Sequence, residues 1–214
     1  MRKISKALLE ALVAAIFVMP LHAGLCSSAT GDPRHEFELF AGYSPASTTL
    51  IGTATDRRFV AAGFTYEYRC WIWNSVSLSY SATAMPAAIA LQPAQVVPTF
   101  TAPYQRFSSP HAVYGFAVAP LGFTLDLFRK RRFHPFAETI EGLIASAEPI
   151  PENQIDASGL NFLFDLGAGV RWNPSPRRAI SLGYRFLHIS NADTTSFNPG
   201  VDNNIFYIGY SFLR

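Results

Sequence analysis

Apolar and polar side chains alternate with a period of two through most of this chain, and no stretch of 12 or more residues beyond the amino terminus carries a helical period. Successive side chains of a β-strand point to opposite faces, so this alternation predicts strands that are oily on one face only. In 36–43, Phe37, Leu39, Ala41 and Tyr43 alternate with Glu36, Glu38, Phe40 and Gly42. In 60–69, Val60, Ala62, Phe64, Tyr66 and Tyr68 alternate with Ala61, Gly63, Thr65, Glu67 and Arg69, and in 75–81 Val76, Leu78 and Tyr80 sit between four serines. A long run at 111–128 contains Pro120, which predicts a bulge or kink there. Residues 135–147 alternate less cleanly, because Glu138 and Glu141 fall on opposite parities. The cleanest strand is 160–172, where Leu160, Phe162, Phe164, Leu166, Ala168, Val170 and Trp172 oppose Asn161, Leu163, Asp165, Gly167, Gly169 and Arg171. Strands at 178–190 and 203–213 bring the number to eight.

Two architectures bury such a pattern. A secreted β domain hides the oily faces and wets the polar ones. A small transmembrane barrel does the reverse, with the oily face in lipid and the small polar residues filling the interior. The lengths and even number of the strands suit the second, as do Tyr43, Tyr68, Trp71, Trp73 and Trp172 near strand ends, where interfacial aromatic girdles lie. With a periplasmic amino terminus, the long connections 44–58, 84–110, 148–158 and 191–202 fall outside and the short ones at 70–74, 129–134 and 173–177 inside, the usual asymmetry of these barrels. The expected fold is all-β: an eight-stranded antiparallel transmembrane β-barrel of the outer-membrane type. Glu67, Arg69, Asp165 and Arg171 then fill a narrow interior as paired charges, and the basic run 129–132 is a solvated turn.

Residues 1–23 read as a signal peptide: Arg2, Lys3 and Lys6, an apolar run from Ala11 to Met19, then Pro20 and a small residue at Ala23. Residues 24–214 are expected to form a single barrel domain. The net charge of +2 belongs to the signal segment, whose three bases face only Glu10, so the remainder is formally neutral and nothing favours nucleic acid. The two cysteines, Cys26 and Cys70, give no disulfide framework, and whether they pair is left open. His22, His35, His111 and His134 show no metal-ligand spacing, and no glycine-rich phosphate loop is present. No metal and no cofactor are expected.

The chemistry concentrates in 186–202. His188 and Ser190 stand two apart in a strand, so they share a face, and that face is the oily one carrying Ile180, Leu182, Tyr184 and Phe186. Asp202 opens the next strand. A histidine, a serine and an acid so placed have the makings of a hydrolytic triad. On a barrel they would lie outside, at the outer-leaflet headgroups, where a membrane lipid arrives sideways.

His188-Ile-Ser190-Asn191-Ala192, followed by Asn198-Pro-Gly200-Val-Asp202, resembles the signature of the PagL-type lipid A 3-O-deacylases, also described as an acyloxyacyl hydrolase family of outer-membrane proteins. The resemblance implies a bacterial outer-membrane esterase that removes the ester-linked 3-O acyl chain of lipid A, with lipopolysaccharide as substrate and the site facing the outer leaflet. By the same resemblance His188 is the general base, Ser190 the nucleophile and Asp202 the third member, with Asn191, Asn198 and Gly200 serving the oxyanion site and its loop. Two positions depart from the family pattern: Asp202 replaces a glutamate, and Asp193 a glycine. Asp193 therefore stays open as an alternative third member. Asn198-Pro199-Gly200 is equally what a plain turn would use. A non-enzymatic structural barrel and an outer-membrane phospholipase remain the alternative readings, and a homodimer is left open.

Overall fold

The computed structural model describes residues 33–214. The signal segment expected at 1–23, and Cys26 with any pairing to Cys70, lie outside the described residues. The strands are β1 (His35–Ser44), β2 (Ser47–Thr48), β3 (Arg58–Trp73), β4 (Val76–Gln92), β5 (Gln95–Pro98), β6 (Gln105–Ser108), β7 (His111–Leu127), β8 (Phe133–Ile150), β9 (Ser158–Ser175), β10 (Arg178–Ser190) and β11 (Gly200–Leu213). The eight long ones pair in the order β1-β3-β4-β7-β8-β9-β10-β11, and β1 closes the ring against β11 from Glu36↔Leu213 to Tyr43↔Phe206. Every neighbouring pair is antiparallel. Closure leaves no long edge with unpaired backbone groups, the condition for a sheet to cross hydrocarbon.

The barrel is inside out relative to a soluble protein. Phe37, Leu39, Phe64, Leu166, Leu182, Phe206, Ile208 and Phe212 are exposed, while Glu36, Glu38, Glu67, Arg69, Asp126, Glu138, Asp165, Arg171 and Arg185 are buried in the interior. An exposed apolar band of this extent needs lipid around it. The interior charges are paired. Arg171 reaches Asp126 at 3.1 Å and Glu67 at 3.3 Å, Arg69 binds Glu36 at 2.8 Å, and Arg185 grips Glu138 at 2.8 and 3.0 Å. The Arg185 guanidinium also lies 4.2 Å from the Tyr207 ring centroid and 4.6 Å from that of Phe40.

At one end the connections are tight: a turn at Asn74 and Ser75, another over 128–132, and a third at Pro176 and Arg177. Trp71 and Trp73 are exposed near this end, and Phe133 stacks on Trp172 with centroids 5.9 Å apart. The expected turn at 70–74 shrinks, because residues 70–73 belong to β3. The expected outer loop 84–110 is also corrected: β4 runs on to Gln92, and the rest carries the β5–β6 hairpin. The reason lies in the β4–β7 pairing, whose register shifts between Met85 and Ala88 around Pro86. Buried positions are odd up to Met85 and even from Ala88, so the period breaks where the side chains are already small. Pro120 marks a similar shift between β7 and β8, bearing out the expected bulge.

Candidate active site

β10 is fixed in rotation by its inward face, where Ser181, Arg185, Leu187 and Ile189 are buried. Leu182, Tyr184, Phe186, His188 and Ser190 consequently point out of the barrel. The register with β11 sets His188 opposite Asp202 and Ser190 opposite Gly200. Both pairs lie at the end of the barrel opposite the tight turns.

His188 Nδ1 lies 2.6 Å from Asp202 Oδ1. An ionised carboxylate only accepts, so Nδ1 presents its proton to Asp202, and Nε2 is the nitrogen that acts as a base when the ring is neutral. The second oxygen of Asp202 is held just as firmly. Oδ2 accepts the backbone N–H groups of Ile51 at 2.7 Å and Gly52 at 2.9 Å. The connection 45–57 is stitched over β11 at this point: β2 pairs with Asp202 and Asn203, and Thr53 and Ala54 donate to the Gly200 carbonyl at 2.9 and 3.1 Å. Asp202 is thereby fully buried although its strand position faces outward.

Two glycines permit this close packing. A Cβ on Gly52 would sit 2.6 Å from the Gly200 carbonyl oxygen, and one on Gly200 would sit 2.7 Å from His188 Cε1. Gly200 therefore makes room for the imidazole, a contact its place in an Asn-Pro-Gly turn does not announce.

Ser190 is 6% exposed and shares the outward face of His188. Their side chains make no hydrogen bond to each other, and a nucleophile and its base need come within reach only in the complex with substrate. The turn after Ser190 is held by Asn191. Its Nδ2 donates to the carbonyls of Asp156 at 3.1 Å and Phe197 at 3.0 Å and to Thr195 Oγ1 at 2.7 Å, while its Oδ1 accepts the Asp193 N–H at 3.0 Å. Ala192 and Asp193 take positive φ, 52° and 58°. Asp193 projects from this exposed turn, and it is Asp202 that meets the imidazole. Asn198 is half-buried, and its Oδ1 is buried with no partner among the described residues.

The sequence therefore brings His188, Ser190, Asn191, Gly200 and Asp202 into one neighbourhood. Ile51 and Gly52 act through backbone N–H groups, which no side-chain pattern marks. Only Gly52, in an otherwise ordinary loop, hints that something approaches closely.

Comparison with known proteins adds to this geometry. The crystal structure of the outer membrane enzyme PagL superposes with a TM-score of 0.56 at 18% identity, covering 81% of this chain and 97% of that one. The crystal structure of Neisserial surface protein A (NspA) gives a TM-score of 0.50 at 13% identity, covering 83% and 96%. At such identities these likenesses bear on the fold, an outer-membrane barrel. No curated protein sequence matches the chain. The profile of the lipid A 3-O-deacylase (PagL) family matches residues 60–211, from the third residue of β3 almost to the end of β11. The chain belongs to that family.

Proposed function

We propose that this protein is an outer-membrane ester hydrolase that removes the 3-O-linked acyl chain of lipid A by a serine–histidine–aspartate mechanism. The observation that carries this reading is the His188–Asp202 pair, 2.6 Å apart and on the same outward face as Ser190. A catalytic group there meets a lipid without the lipid leaving its leaflet. Family membership supplies the substrate class.

In this reading Ser190 Oγ attacks the ester carbonyl as Nε2 of His188 takes its proton. Asp202 holds the imidazole in the tautomer that leaves Nε2 free, and the resulting imidazolium gains from the adjacent carboxylate. The oxyanion donor is the backbone N–H of Ala192. The Asn191 amide and the Asp193 N–H are already committed to the turn. Asn191 thus acts on the oxyanion through the shape of the loop, and a well-placed donor there contributes about 3–4 kcal/mol. His188 then protonates the departing sugar oxygen. Water, deprotonated by the same imidazole, releases the acyl chain from Ser190.

The test is incubation of the purified, folded protein with lipid A and, separately, with a glycerophospholipid, followed by mass spectrometry. Lipid A lighter by one ester-linked acyl chain is the expected product. Cleavage of the phospholipid alone would make the protein a phospholipase, and two unchanged lipids would make it a barrel without turnover.

A further inference from the structure

Away from His188, a second group of ionisable side chains gathers at the outer rim. His111 opens β7, Glu148 lies near the end of β8, and Glu152 follows in the connection 151–157. One donor atom from each lies within 4.8 Å of the others. We infer that His111, Glu148 and Glu152 form a binding site for a divalent transition-metal ion of the zinc type.

The imidazole carries the argument. His111 Nδ1 lies 2.8 Å from the Ser109 carbonyl oxygen. A carbonyl only accepts, so Nδ1 bears a proton. The other nitrogen, Nε2, is buried and has no hydrogen-bond partner. Yet Glu148 Oε2 and Glu152 Oε2 lie 3.4 and 3.3 Å from it. If Nε2 is bare, its lone pair is crowded by two anionic oxygens. If Nε2 is protonated, its N–H is buried without pointing well at either. A cation at the common focus of the three atoms removes both difficulties.

The spacing suits a particular kind of ion. Zinc ligated by nitrogen and oxygen at about 2.0–2.2 Å in a tetrahedron sets neighbouring donor atoms about 3.3–3.5 Å apart. The two observed nitrogen–oxygen separations fall in that range. Calcium asks for six to eight oxygens at longer distance and has no use for an imidazole. The surroundings also resemble the outer shell of a metal site, in which each ligand is oriented by a further hydrogen bond. The Ser109 carbonyl orients His111. Glu152, 4% exposed at its side chain, is held by Arg106, by Gln95 Nε2 at 3.1 Å and by Ser108 Oγ at 3.3 Å. Arg106 pairs with Glu152 and the Arg57 guanidinium also acts on it, so the cations stand behind the site, while the three facing donors are two carboxylates and one imidazole. Glu148, 47% exposed, leaves the fourth coordination position open to water.

An ion here would join connections that also reach the catalytic face. Asn153, next to Glu152, accepts from Arg57 at 2.7 Å, and Arg57 also binds Gln95 at 2.5 Å. The Arg57 backbone N–H donates to Ser47, in the same connection that supplies Ile51 and Gly52 to Asp202.

The experiment is a calorimetric titration of Zn²⁺ into tag-free, chelator-stripped protein folded in detergent. One ion per chain should bind, with His111→Ala and Glu148→Gln each weakening affinity by at least about tenfold. Zn²⁺ should raise the thermal midpoint of the parent and leave that of His111→Ala in place. His188→Ala should bind like the parent, which separates this site from the catalytic imidazole. Glu148 is exposed, so its variant tests the ligand without endangering the fold. Failure of the parent to bind one ion, parental affinity in either rim variant, or loss of binding in His188→Ala would each overturn the assignment.

Discussion

Asp202 uses its two oxygens differently. One sets the tautomer of His188, and the other is tied to the backbone of Ile51 and Gly52, so the carboxylate cannot swing away. Asp202→Asn keeps the shape but can present an N–H to the imidazole and invert the tautomer. Turnover on lipid A should fall by about four orders of magnitude with KM nearly unchanged, as measured by steady-state kinetics. Asn191→Ala should also lower kcat strongly, by releasing the turn that presents the Ala192 N–H. Asn191→Asp should be no better, since its carboxylate would face the carbonyls of Asp156 and Phe197. Asp193→Gly should be tolerated in the same assay, because a φ of 58° suits glycine and the N–H that binds Asn191 survives. A dead Asp193→Gly beside an active Asp202→Asn would transfer the third role to Asp193.

Among the strands, β8 holds an element-scale oddity. Glu138, Ile140 and Ile144 are buried inside, so Glu141 points out between them, toward lipid, beside the register shift at Pro120. Across the sheet it is level with Phe164, which is level in turn with His188. At the depth of His188, near the outer headgroups, a carboxylate on the lipid face costs little. Glu141→Leu should therefore change barrel stability by less than about 1 kcal/mol in urea unfolding from vesicles. The same strands show what the sequence could reveal. Where alternation is strong, as in 160–172 and 178–190, parity alone assigned the faces and placed His188 and Ser190 outside. Where a bulge shifts the register, as at Pro86, the period breaks and β4 went unread beyond residue 81. The β5–β6 hairpin is too short to show a period, and the cradle from Ile51 and Gly52 uses groups that every residue carries. Side-chain chemistry was legible in the sequence; support by backbone and by loop crossing was not.

At the scale of the whole molecule, lipid and interior make opposite demands on the same residue type. Leu166→Arg places a cation on the outward face, where it costs about 2–4 kcal/mol at mid-bilayer. Arginine inside the barrel is different, because its partners are built in. Arg185 is surrounded by Glu138, Asp165, Phe40 and Tyr207. Arg185→Met removes a charge from the core, yet it should destabilise by about 3–5 kcal/mol, since Glu138 and Asp165 then lose their cation. Adding Glu138→Gln to that variant removes one of the two stranded carboxylates while preserving an acceptor for the Tyr207 hydroxyl, which now bonds Glu138 at 2.7 Å. The double variant should therefore recover a substantial part of the loss, so the two substitutions are far from additive. Equilibrium unfolding of the parent, both single variants and the double variant measures this coupling. Additive losses would mean that Glu138 and Arg185 are solvated separately by water inside the barrel. Positive coupling would mean that the interior is a dry, paired polar core, rigid enough to hold β10 in the rotation that turns His188 and Ser190 toward the lipid.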